Sequence, residues 1–438
     1  MARLGDFHLL AFDGVGGRNF NNFCYNIYAL GNTRHKKREA DRLKIWCGVM
    51  LTACWSGAAV AQTSPLRNLD LFVGTVLTYD DNVFRTPDGV TRAGKQRSDW
   101  TLEPTITANY TRPLGRGDVS VGGRLAYRFY NRNSELNREN LELQAQATTP
   151  VWICDVNTDA SIHRQQSDLA DIVDGATLKN AETRLRLGAG LLCGDGIGIR
   201  PGVEYKFENV TNSSTIRELS DYRRHTYIAR IGYARPTFGF LSIYGQIVQG
   251  DYPNRIAPAP GFPANDQVTT YSGGIAYNRE LGTRLAGSVA VGYMKTKARA
   301  GVPGSKGLTY KGTLSYRGSD RVSGKLSFSR DTQQSNLLGV DYSLQTQFAG
   351  SVSYAVSRRV TITGNASYTR RSFRGTSFVV GAPIGSGDRT TQFGALINFQ
   401  SFRRINFALS GTHYIRNSPI PGLDYKANRI ALTSGLKF

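Results

Sequence analysis

Five cysteines, three methionines and five histidines in 438 residues leave little material for soft-metal or thiol chemistry. The histidines (His8, His35, His163, His225 and His413) are scattered. No HExxH, CxxC or GxSxG pattern occurs, so the usual zinc, redox and nucleophile-elbow signatures are missing. No metal site, cofactor or catalytic residue is expected, and His163, His225 and His413 read as isolated positions. Beyond residue 61 there is no apolar run of the roughly 20 residues a spanning helix needs. Stretches with a 3.6-residue apolar period are also lacking after residue 70, which argues against helical domains. Lysine-rich tails are absent, so a formal charge of +21 does not point to nucleic acid. The excess is mostly arginine, spread along the chain.

Glycine (48 residues) and aromatics (11%) are abundant. Near the N-terminus, Lys36, Lys37, Arg38, Arg42 and Lys44 precede an apolar stretch from Ile45 to Val60, and Ala59-Val60-Ala61 supplies small residues for cleavage before Gln62. Residues 36–61 are therefore expected to be a signal peptide, preceded by an unstructured leader over 1–35. Leu51-Thr52-Ala53-Cys54 resembles a lipobox, but the run after Cys54 stays apolar, which favours cleavage after Ala61. Losing eight basic and four acidic residues leaves a charge of +17. Cys154 and Cys193 then remain as a pair, expected to form a disulfide in an oxidising compartment.

From Leu69 onward, segments of ten to fourteen residues alternate apolar and polar side chains between turn residues. The breaks alternate too. Short ones fall at 113–117, 193–196, 235–237, 280–282, 317–320, 357–359 and 402–404. Long polar ones fall near 80–98, 131–139, 167–180, 211–222, 252–267, 296–306, 332–342, 373–388 and 417–425. Short turns on one side and long loops on the other are the layout of an outer-membrane barrel. The sequence thus predicts an all-β fold: a transmembrane antiparallel β-barrel over residues 69–438, after a short periplasmic segment at 62–68. Nine long loops give eighteen strands, within a range of 16–18, with short periplasmic turns and long extracellular loops.

Within the predicted strands, Leu125, Tyr127 and Phe129 oppose Arg124 and Arg128, while Leu185 and Leu187 oppose Arg184 and Arg186. Tyr227 and Ile231 oppose Arg224 and Arg230, and Leu326 and Phe328 oppose Lys325. A lipid-facing arginine at mid-bilayer would cost about 2–4 kcal/mol. These seven cations are therefore candidates for the pore lining, where they would attract anions or pair with acids such as Glu142, Glu182, Glu204 and Glu208. Either the loop at 252–267, rich in proline, folds inward or it stands outside. The chain ends with apolar residues at 430, 432 and 436 and a terminal Phe438, the pattern of the strand read by the barrel-assembly machinery, with Leu436 and Phe438 as its signal.

After the first strand comes Tyr79-Asp80-Asp81-Asn82-Val83-Phe84-Arg85. It resembles the opening Y-D-[DS]-N-[IV]-[FY]-R of the outer-membrane β-barrel porin family (type 2), whose members often accompany exopolysaccharide export clusters. The resemblance in organisation covers about residues 69–438 and implies an outer-membrane barrel with no assigned cargo. Read physically, Asp80, Asp81, Asn82 and Arg85 cap a strand end and brace the first loop or hold a cation. Expected partners are outer-membrane lipid and lipopolysaccharide, the assembly machinery and an anionic polysaccharide. Three functions compete: a channel for anionic solutes or exopolysaccharide, a structural or adhesive barrel with a blocked lumen, and a barrel hydrolase.

Overall fold

The computed structural model describes residues 68–438 except 92–94, 168, 172–178, 195, 256–265, 299–301, 336–339, 376–386 and 402–403. The expected leader and signal peptide lie outside the described residues, as do most of 62–68 and the proline-rich part of the loop at 252–267.

Eighteen strands follow in chain order. They are β1 Leu69–Asp80, β2 Asp99–Leu114, β3 Gly117–Tyr130, β4 Arg138–Val151, β5 Cys154–Gln166 and β6 Ala181–Cys193. Next come β7 Gly198–Asn212, β8 Tyr222–Arg235, β9 Gly239–Tyr252, β10 Asp266–Leu281, β11 Leu285–Lys297 and β12 Ser305–Arg317. The last six are β13 Val322–Gln334, β14 Tyr342–Ala355, β15 Val360–Arg374, β16 Gly387–Ser401, β17 Ile405–Asn417 and β18 Tyr425–Lys437. Each strand pairs antiparallel with its sequence neighbours, and β1 pairs with β18 from Phe72↔Lys437 to Asp80↔Arg429. The sheet closes on itself and leaves no free edge, as lipid requires of a spanning sheet. Phe438 strengthens the seam by exchanging backbone hydrogen bonds with Leu71.

Alternation decides which way each side chain points. Val73, Leu125, Leu187, Ile231, Ile275, Leu326, Val352, Ile397 and Leu432 are all exposed on the outer face, the reverse of a soluble protein. Tyr79 and Trp100, with ring centroids 5.1 Å apart, lie on this face near the long-loop end, where an aromatic girdle is expected. Eight short turns join the strand pairs at the opposite end. Gly115 (φ 64°) and Gly282 (φ 63°) take left-handed conformations there that a side chain would resist.

Cys154 and Cys193 stand opposite each other on β5 and β6 and are bonded. The bridge closes a separation of 39 residues at the short-turn rim, beside the exposed Trp152. Chain-entropy arguments put its stabilisation at about 4 kcal/mol or less. Reduction is expected to lower the denaturant midpoint while leaving the heat-modifiable gel band of the folded barrel; an unshifted midpoint would show that the bridge adds nothing.

Candidate functional site

The inward phase of β2 to β8 carries a bank of cations. On β2 and β3, the buried carboxylate of Glu103 accepts hydrogen bonds from Arg124 Nη2 at 2.5 Å and Arg128 Nε at 2.6 Å. Further round the wall, Glu208 on β7 pairs with Arg184 at 3.5 Å, with Arg186 at 3.3 Å and with Arg224. Arg184 also holds Glu182 at 2.8 Å, and Glu204 takes Lys206 at 2.7 Å and Arg230 at 3.2 Å. Seven cationic heads thus share four carboxylates. Lys325, half-way round the barrel on β13, lies on the inward phase opposite Ser351. Of the acids read from sequence, Glu182, Glu204 and Glu208 pair with these arginines; Glu142 stands beside Arg124 in register, but Glu103 holds that arginine. Glu103 was missed because Pro104 follows it and interrupts the β2–β3 ladder.

Two elements project from the wall into the lumen at the long-loop end. The first is a short 3-10 helix, Leu169–Asp171, in the connection between β5 and β6. Asp171 accepts two hydrogen bonds of 3.0 Å from Arg371 on β15 and lies 2.9 Å from Arg416 on β17. Both arginines also bind Asp388 on β16, and Arg416 Nη1 donates to the Ala170 carbonyl. Strands β15 to β17 lie six to nine strands round the ring from β5 and β6, and Ala170 also packs on Tyr425 and Ala427 of β18, so these three residues lie inside the wall well away from their own strands. Two carboxylates and two guanidiniums close the link, with the Arg416 and Asp388 side chains buried. Burial alone would raise the Asp171 pKa; the Arg371 and Arg416 guanidiniums outweigh it and hold the carboxyl well below the usual range.

The second element is the tip of the β13–β14 hairpin. Pairing of β12 with β13 stops at Tyr310↔Arg330. Beyond it, Thr332 is on the phase that should face lipid, yet it is buried and hydrogen-bonds inward-facing Thr296 at 3.1 Å. Tyr342 on β14 likewise packs on inward-facing Val268 and donates to the Pro303 carbonyl at 2.6 Å. These ends of β13 and β14 therefore lie inside the wall as a second layer. Tyr252 donates to the Asp341 carbonyl at 2.6 Å, Arg255 pairs with the Asp341 carboxylate at 2.5 Å, and Arg224 reaches Gln333 and Gln334.

The segment from Tyr79 to Arg85 seats the first of these elements. Arg85, at a left-handed φ of 54°, donates to both Asp80 oxygens at 2.7 and 2.8 Å. Its guanidinium sits 5.4 Å from the Tyr414 ring centroid. The fully buried Asn82 donates to the carbonyls of Thr86 and Lys426 at 2.8 Å and accepts from the Thr86 N–H. Asp81 accepts from Asn428. These bonds pin the loop so that Phe84 enters an apolar cluster with Val83, Leu136 and Leu169. The motif thus supports the helix that lies inside the wall. Among the described residues, no group of His, Cys, Asp and Glu could hold a metal ion.

The three histidines of the barrel are not brought together. His225 sits on the outer face against Tyr205 at 2.9 Å, and His413 contacts Asn428 at 2.7 Å. His163 lies on β5 beside Arg184 in register.

A closed eighteen-stranded barrel, apolar outside and ionic inside, with its lumen narrowed from two sides, is an outer-membrane channel of the porin class. The family model "Putative beta-barrel porin 2" matches residues 204–438, more than half of the chain, and the chain belongs to that family. Among solved structures the chain is similar to OccK2 (OpdF) of Pseudomonas aeruginosa, with 10% identity, a TM-score of 0.43, and coverage of 85% of this chain and 98% of that one. OccK9 (OpdG) of the same organism gives 11% identity and a TM-score of 0.44, and OccAB3 of Acinetobacter baumannii 10% and 0.42, with the same coverages. No curated protein matches the chain.

Proposed function

We propose that the chain is a diffusion channel for anionic solutes, with Arg124, Arg128, Arg184, Arg186, Arg224 and Arg230 forming the attractive wall of its path. The observation that carries this reading is the excess of cations over carboxylates along β3 to β8. Charge of one sign lining a confined path lowers the entry barrier for the opposite sign. The helix inside the wall favours small anions, or a single anionic polysaccharide strand, over bulky cargo. In this reading the chain is exported by cleavage after Ala61, inserted by the assembly machinery through its Phe438 end, and seated among lipid and lipopolysaccharide.

In planar bilayers under a potassium chloride gradient, the reversal potential is expected to show chloride preference. That preference should fall toward parity in the Arg184→Gln/Arg186→Gln variant; cation preference in the unmodified protein would refute the proposal. The same helix gives the blocked, structural barrel its one supporting observation. Absence of conductance under these conditions would select it.

A further inference from the structure

The arginine bank lies on one side of the barrel, but a second cationic site sits elsewhere, at the short-turn mouth. It is a cavity of about 270 Å³ lined by Phe72, Arg358, Arg359, Thr361, Asn398, Gln400, Arg404, Ile405, Asn406 and Lys437. The strand residues among these, apart from Ile405 at the start of β17, are on the inward phase: Lys437 alternates with outward Leu436, Asn398 with Ile397, Asn406 with Phe407 and Phe72 with Val73. The cavity therefore opens into the lumen, away from lipid.

Its chemistry is specific in three respects. Four cations converge on it and its lining contains no Asp or Glu; Lys437 meets Asp70 at the rim, 3.1 Å away. Arg358 and Arg359 are exposed on the β14–β15 turn and project guanidiniums suited to bidentate contact with a carboxylate or phosphate. Thr361, Asn398, Gln400 and Asn406 line it with neutral hydroxyl and amide groups. Such groups can hydrogen-bond the hydroxyls of a ligand, which a bare anion does not offer. Phe72 adds an aromatic surface. Its ring lies against the wall over Gly74 and Gly435, where a Cβ on either glycine would strike it. An anion site, neutral hydrogen-bonding groups and a fixed aromatic face within one small cavity match a ring that is hydroxylated and also charged. At ~30 Å³ per water the space equals roughly nine waters, room for one ring and not a chain.

We propose that this cavity is a binding site for a single acidic sugar unit, held at the periplasmic mouth. Arg358 and Arg359 take its carboxylate, the neutral side chains of Gln400, Asn406 and Thr361 meet its ring hydroxyls, and Phe72 supports the ring face. The assignment goes beyond the anion path above, because it adds recognition of a hydroxylated ring to attraction by charge.

The test is calorimetric titration of the detergent-purified full chain with galacturonate, with galactose and acetate as separate probes. Galacturonate is expected to bind at least tenfold more tightly than either. Its affinity should fall at least tenfold in Arg358→Gln/Arg359→Gln, and Phe72→Leu should weaken it as well. Folding of each variant is checked by heat-modifiable gel mobility, and the single Arg358→Gln, at an exposed turn, stands in if the double variant misfolds. Absence of galacturonate binding, equal affinity in wild type and arginine variants, or galactose or acetate binding as tightly as galacturonate would overturn the proposal. A barrel that binds galacturonate through these arginines but does not conduct sinks the channel reading alone. A conducting barrel that fails to bind it sinks the pocket alone.

Discussion

Replacing Asp171 with asparagine is expected to raise single-channel conductance several-fold and to add open substates, with the barrel itself still folded. Asp171 is the charged group that ties the inward helix to Arg371 and Arg416, beside the neutral tie from Arg416 to the Ala170 carbonyl. Breaking one partner of a buried ion pair typically costs 3–5 kcal/mol, and each 1.4 kcal/mol is a factor of ten in a population, so the displaced form gains about two to three orders of magnitude. Leu169 and Ala170 still pack against their apolar neighbours, which keeps the variant from emptying the lumen altogether. Single-channel recording alongside wild type measures the effect. Unchanged conductance and unchanged noise would mean that the helix does not limit flow.

The same link fixes a pH dependence. A carboxyl whose folded pKa is depressed stabilises its contacts above its unfolded value, about 3.9, and loses that contribution only as pH falls through the folded value. Arg371 and Arg416 hold Asp171 well below the usual range. The tie therefore persists across pH 4 to 7, and wild-type conductance should show no opening step in that window.

Much of this architecture is legible in the sequence because it rests on local rules. Leu125-Ala126-Tyr127-Arg128-Phe129 alternates with a period of two, and that alone sends Arg128 to the lumen and its neighbours to lipid. Turn residues mark the strand ends, so eighteen strands, the sorting of loops and the Cys154–Cys193 pairing follow. The two lumen-narrowing elements are not legible, since they depend on partners far away in the chain. Asp171 meets Arg371 across 200 residues, and Ala170 meets Arg416 across 246. Nothing near Leu169 announces that its loop turns inward. Thr332 and Tyr342 keep the strand period but reverse its meaning, because their strand ends have moved inside the wall. The segment that resembles the family motif reads, from its residues, as holding a cation or bracing the first loop. Its bonds do the latter, and the seat it gives Leu169 appears only when Phe84 and Leu136 are placed together.

Glu208→Gln separates the two roles open to the arginine bank. Glu208 is a buried carboxylate shared by Arg184, Arg186 and Arg224, with Tyr222 donating to it at 3.3 Å. Neutralising it leaves the seven cations that shared four carboxylates with three of them, and leaves Arg186 and Arg224 without their ionic partner there. If the bank braced the wall and nothing more, the variant would lose stability and keep its ion preference. If the bank also lines the path, anion preference must rise as stability falls. The second outcome is expected: a reversal potential shifted further toward that of chloride, together with a lower denaturant midpoint, the loss approaching the 3–5 kcal/mol typical of a broken buried pair. Arg186 is half exposed, so its share of the stability loss should be small and its share of the selectivity gain large. A midpoint that falls while the reversal potential stays fixed would take the arginines out of the conduction path and leave them as struts.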